Sequence, residues 1–201
     1  RHLLSVESEA LAMLIAEEWA DQGEHIDPVT MPLTRLLNVT RDRTSGDRDV
    51  LADEVARYAE TDLVCHLAEG PRELRARQDT GWRPVRDWAG RELGILLVPV
   101  EGIIAPAQPD ASLKAARDHA ASLDDLRLTA LVWATTLYGS AILGLAVEQG
   151  EIDALDAFDL SRIDEIWQAE QWGEDEEAMQ AVEARRRDAD ALGKLFAALG
   201  R

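Results

Sequence analysis

Apolar positions recur at steps of three and four along most of this chain, the period of an α-helix and not the alternation of a strand. Ser8 to Asp21 reads as an amphipathic helix with Leu11, Leu14, Ile15 and Trp19 on one face. Gly23 sits where a glycine commonly ends a helix. Trp19 is expected in the core, so an arginine there should unfold the domain. Asp27-Pro28 opens a turn, and Pro32 suits the first turn of the next helix. That helix turns Leu33, Leu36 and Leu37 inward and ends near Arg41. Residues 44–47 read as a loop, after which Asp47 begins a long helix broken by Gly70-Pro71. Glu73 to Ala89 follows, with Gly81 and Pro84 expected to break or kink it. Ser112 to Ala121, Leu123 to Gln149, Ile152 to Phe158, Arg162 to Trp172 and Asp175 to Leu199 complete the helices. Gly94 to Val100 is the one strand candidate in the body of the chain, limited to an edge by Pro99. The pattern predicts a mainly α fold, a compact multi-helix domain with a central apolar helix and at most one or two short strands.

The central helix is the uncharged run Leu128 to Val147. Its length alone would allow a bilayer crossing, which takes about 20 residues. Thr129, Thr135, Thr136, Tyr138 and Ser140 dilute it, and the flanks are acidic, with no basic cluster beyond Arg127. A helix apolar all round that does not cross a membrane belongs at the centre of a bundle. Gly139 and Gly144 suit close approach by a neighbour.

Asp62 breaks the pattern most sharply. Leu51, Val55, Tyr58, Asp62 and Cys65 fall at helical steps, which places a carboxylate on a stripe that should be buried. A buried carboxylate is costly unless donors or a cation meet it. Arg35 on the preceding helix is the expected cation, with Tyr58 and Thr61 as local donors. Thr34 and Asn38, four apart, are expected to lock one helix to another. Arg35, Asn38, Tyr58, Thr61 and Asp62 thus form an expected structural polar core. A catalytic alternative pairs Asp62 with His66, one turn on, though nothing nearby reads as an activated nucleophile.

Composition narrows the classes. At 201 residues the chain suits about one domain, and its net charge of −18 repels nucleic acid and anionic lipid while favouring basic surfaces. Cys65 is the only cysteine, so no intramolecular disulfide can form. Its place on an apolar stripe argues for a packed thiol. His2, His25, His66 and His119 are scattered, and the spacings of zinc, calcium, phosphate-loop, dinucleotide and serine-hydrolase motifs are missing. Arg185, Arg186 and Arg187 are expected on solvated faces of the last helix.

The segment from Ser161 to Asp175 is the best candidate for contact with a partner. Ser161 suits an N-cap with Asp164 three residues on. That leaves Trp167, Gln168 and Trp172 beside Glu165, Glu170, Glu174 and Asp175 without a local purpose. Aromatic anchors within a rim of carboxylates are the makings of a protein-binding surface, although both tryptophans could instead be core.

Glu18-Trp19 and Gln22, Met31-Pro32-Leu33-Thr34-Arg35-Leu36 with Asn38, Tyr58 with Thr61-Asp62-Leu63 and Cys65, Trp82 with Pro84 and Trp88, and Ser161-Arg162-Ile163-Asp164-Glu165 with Gln168 and Trp172-Gly173 follow in that order. Together they resemble the Atp12 family, assembly chaperones of the F1 sector of ATP synthase. The resemblance implies a non-enzymatic protein, without cofactor or metal, that holds the unassembled F1 α subunit until the β subunit replaces it. It implies partner contact through Asp164, Glu165, Gln168, Trp172, Gly173 and Glu174. Residues 1–7 are then expected to be the remnant of a small N-terminal β-rich segment that is otherwise missing, and residues 8–201 the helical chaperone domain. A monomer is expected, in the cytoplasm of a bacterium (which the excess of arginine over Lys114 and Lys194 favours) or in a mitochondrial matrix. The rival classes are an acidic adaptor for some other basic protein and an enzyme that uses Asp62 and His66.

Overall fold

The computed structural model describes residues 5–102, 106–173 and 176–200, with the backbone alone at 176–178. Helix α1 (Glu9–Ala20) is capped by Ser8, whose hydroxyl accepts from the Leu11 N–H at 3.2 Å and donates to the Ala198 carbonyl at 2.7 Å. It buries Leu11 and Ile15. Trp19 is 47% exposed, contrary to expectation. Glu18 turns inward in its place, because the first N–H groups of α2 (Pro32–Val39) need an acceptor. The Glu18 carboxylate accepts from the Leu33 N–H at 2.7 Å, the Thr34 N–H at 2.8 Å and the Thr34 hydroxyl at 2.7 Å.

No loop separates α2 from α3 (Ser45–Glu60). A π-type turn over Thr40–Thr44 carries the helical path through the expected break. Thr44 there is fully buried, its hydroxyl 2.7 Å from that of Thr129. This shared bond satisfies two polar groups that would otherwise favour a turn. After α3 comes a 3-10 turn (Leu63–Cys65) and a short strand β1 (His66–Leu67), which pairs in parallel with β2 (Val100–Glu101). Only the last residue of the expected 94–100 strand therefore enters a ladder. The Leu96 and Val98 backbones instead bond the side chains of Ser112 and Gln108 at 2.7–3.1 Å.

Helix α4 (Arg72–Leu93) runs unbroken through Gly81 and Pro84. Gly81 permits a close approach: a Cβ there would lie 2.7 Å from Leu160 Cδ2 and 2.9 Å from Ile163 Cδ1. Beyond α5 (Asp110–Ser122), the apolar run divides into α6 (Asp125–Tyr138) and α7 (Ala141–Glu148). Gly139 takes the left-handed conformation at φ 65° and Ser140 caps α7, so the expected single helix is two. Among the described residues no helix is long and apolar enough to cross a membrane. The two helices form the centre: α6 packs on α3, α5 and the last helix of the chain, and α7 on α4. Helices α8 (Ala154–Leu160), α9 (Ile163–Trp172) and α10 (Glu176–Leu199) close the chain. The fold is mainly α around an apolar centre, with one short ladder, as the pattern predicts.

Candidate partner surface and the buried carboxylate

Asp62 is fully buried, but not on a helix. It follows the end of α3 and caps the 3-10 turn, accepting from the Val64 N–H at 3.2 Å through Oδ1. Its Oδ2 accepts from the Ile142 N–H at 3.0 Å, and the Ser140 hydroxyl and Ala141 N–H beside it also draw the carboxyl down. The carboxylate thus sits against the first turn of α7, where unpaired N–H groups and the helix dipole favour negative charge. The Leu63 N–H adds a bond to the Gly139 carbonyl at 3.3 Å. Burial pushes the Asp62 carboxyl up to about 6 against the pull of these donors. Burial, with the Asp62 charge beside it, pushes the Cys65 thiol up to about 12, the behaviour of a packed thiol.

The rest of the expected polar core does not assemble. Arg35 is exposed and pairs with Asp188 at 3.3 Å, because backbone N–H groups have already met the Asp62 charge. Asn38 and Thr61 are exposed, and Tyr58 is half-buried against the apolar core. His66 lies in β1 and not one helical turn from Asp62. A second buried carboxylate holds the far end of α7: Glu148 lies 3.0 Å from His119 and 3.1 Å from Arg127. Burial alone would raise Glu148, but the bonds from His119 and Gln149 and the Arg127 charge outweigh it and hold the carboxyl below its ordinary value.

The segment expected to meet a partner forms α9. Ser161 does not cap it; it ends α8, with its hydroxyl donating to the Phe158 carbonyl at 2.7 Å. Asp164 accepts from the Gln78 amide at 2.7 Å, while Gln78 also accepts from the Ala68 N–H at 2.7 Å. Gln78 is fully buried on the α4 stripe of Leu74, Trp82 and Val85, a polar residue at an apolar step that sequence reasoning passed over. Glu170 takes two bonds from Arg77 at 2.7 and 2.9 Å, which fix the other edge of α9 to α4.

What remains points outward. Glu165, Gln168 and Trp172 are exposed at steps of three and four, on one face of the helix. Trp172 is 75% exposed, while Trp167 is 9% exposed and packs edge-on to it, with centroids 5.8 Å apart and planes at 88°. Gly173 ends the helix at φ 90°. Glu174 and Asp175 lie outside the described residues.

The fold and this face define a mainly helical domain that presents an aromatic and carboxylate surface, with its buried carboxylates committed to holding helices together. The family described as ATP12 chaperone protein matches residues 1–90. Solved structures are similar over nearly the whole chain. Atp12 from Paracoccus denitrificans shares 44% identity and a TM-score of 0.87, over 96% of this chain and 84% of that one. Atu1473 from Agrobacterium tumefaciens shares 38% identity and a TM-score of 0.93, over 100% of this chain and 75% of that one. The mitochondrial protein atp12 of Schizosaccharomyces pombe is 25% identical over 183 residues, covering 86% of this chain and 62% of its own length. The chain belongs to the Atp12 family of chaperone proteins.

Proposed function

We propose that this protein is an assembly chaperone of ATP synthase that binds the free α subunit of F1 and shields it until the β subunit takes its place. The observation that carries the reading is Trp172, three-quarters exposed yet braced edge-on by Trp167. A large aromatic ring held in one orientation in solvent suits an anchor that loses little entropy on binding. Glu165 and Gln168 on the same face add selectivity, and the charge of −18 speeds encounter with a basic surface. A ring subunit without its neighbours exposes apolar interface that invites aggregation. Covering it requires contact alone, with no bond made or broken.

In this reading Glu165, Gln168 and Trp172 touch α directly, Gly173 and Glu174 extend the contact, and Asp164 contributes through the oxygen that Gln78 leaves free. Co-expression with tagged α and tagged β tests it. Recovery with α alone supports the reading; equal recovery with both, or with neither, contradicts it.

A further inference from the structure

A second surface is built into α1, opposite the face that Leu11 and Ile15 bury. Ala12, Ala16 and Ala20 are exposed at steps of four and form the middle of that outer face. Met13 flanks them on one side at 60% exposed and Trp19 on the other at 47%. The apolar surface continues past the helix into Ile26, 57% exposed, and Val29, 62% exposed. This loop is clamped: the Gln22 amide donates to the Glu18 carbonyl and the Thr30 hydroxyl, both at 3.0 Å, and its oxygen accepts from the Asp27 N–H at 2.7 Å. The patch is therefore preformed, which lowers the ordering cost of binding.

Its charge is one-sided. From Glu7 to Met31 the chain has seven acidic residues and no lysine or arginine. Glu9 and Glu17 share the outer face with the alanines, about 12 Å apart along the axis. Small side chains in the middle allow another helix to approach closely, and the acids beside them call for cations. A second copy of this chain would bring the same acids and repel, as would anionic lipid or nucleic acid.

We propose that this face of α1, continued by Ile26 and Val29, docks a basic amphipathic helix of a partner protein, one whose apolar stripe is bordered by lysine or arginine. This contact is independent of the α9 face and of the α-subunit reading.

The test uses the full chain and two synthetic peptides of about 18 residues, long enough to be helical when bound: a leucine–lysine amphipathic helix and its leucine–glutamate counterpart. Affinities are read by fluorescence anisotropy for the wild type, Ala12→Gln/Ala16→Gln, Glu9→Gln/Glu17→Gln, and a control, Glu60→Gln/Asp87→Asn, that removes as much charge from exposed sites on other helices. Binding of the lysine peptide alone is expected. The uncharged alanine double variant should weaken it about tenfold, and the Glu9/Glu17 variant should weaken it more than the control, all with unchanged melting. Full affinity in the alanine variant, or equal losses in the two charge-removing variants, would overturn the proposal.

Discussion

The core that encloses the junction between α6 and α7, and the outer face of α9, carry similar residue types in opposite settings. Asp62 and Trp82 lie inside: the first is wrapped in donors, and the second is 1% exposed with its indole N–H donating to the Leu160 carbonyl at 2.8 Å. Glu165 and Trp172 lie outside. Availability of partners separates them. The start of α7 supplies N–H groups to Asp62 and the end of α8 a carbonyl to Trp82, so both polar groups are buried with partners. Around α9, Gln78 and Arg77 engage Asp164 and Glu170, which turns the remaining face of the helix outward.

The sharpest way to break this comparison is to empty the junction. Asp62→Ala should cost about 4 kcal/mol at pH 5, because the Val64 and Ile142 N–H groups lose their acceptor in a site closed to water. Urea denaturation checks it. Asp62→Asn separates charge from shape. The folded carboxyl is raised from 3.8 to about 6, so the native state holds the proton more tightly than the unfolded chain. That contribution is fully present below pH 3.8 and is lost as pH rises through 6. Asparagine does not titrate, so stability relative to the wild type should shift in its favour by about 2 kcal/mol between pH 4 and pH 7. A pH-independent difference between the two proteins would contradict the burial of the charge.

Smaller effects sharpen the contrast. A Cβ on Gly144 would lie 2.8 Å from Thr135 Oγ1 and 3.1 Å from its backbone nitrogen, so Gly144→Ala should force α7 off α6 and cost about 2 kcal/mol, seen as a lowered melting temperature. Trp19→Arg should cost only about 1 kcal/mol, since the position is half open and an arginine can keep its charge in water. Trp172→Ala should change stability by less than about 0.5 kcal/mol.

Periodicity located most helices within a few residues, because most of them have one apolar face. It failed where tertiary bonds overrode local signals. The turn-forming residues at 44–47 are helical because Thr44 finds Thr129, and Gly81 sits mid-helix because Leu160 and Ile163 need its missing side chain. The burial of Asp62 was legible, since a carboxylate among Val55, Tyr58 and Cys65 stands out. Its partners were not: the Ile142 N–H lies 80 residues away and backbone donors leave no mark on sequence. The same logic applied to Gln78 would have found the seat of α9. The opposite fates of Trp19 and Trp82 are invisible to spacing, because an indole fits either side of a helix edge.

The most direct test of the central claim, that the α9 face captures α by contact alone, is the affinity of isolated F1 α for the wild type and for Glu165→Ala/Gln168→Ala/Trp172→Ala, with urea denaturation measured in parallel. The account predicts binding weakened about a hundredfold in the variant at unchanged stability. Wild-type affinity in a folded triple variant would contradict it.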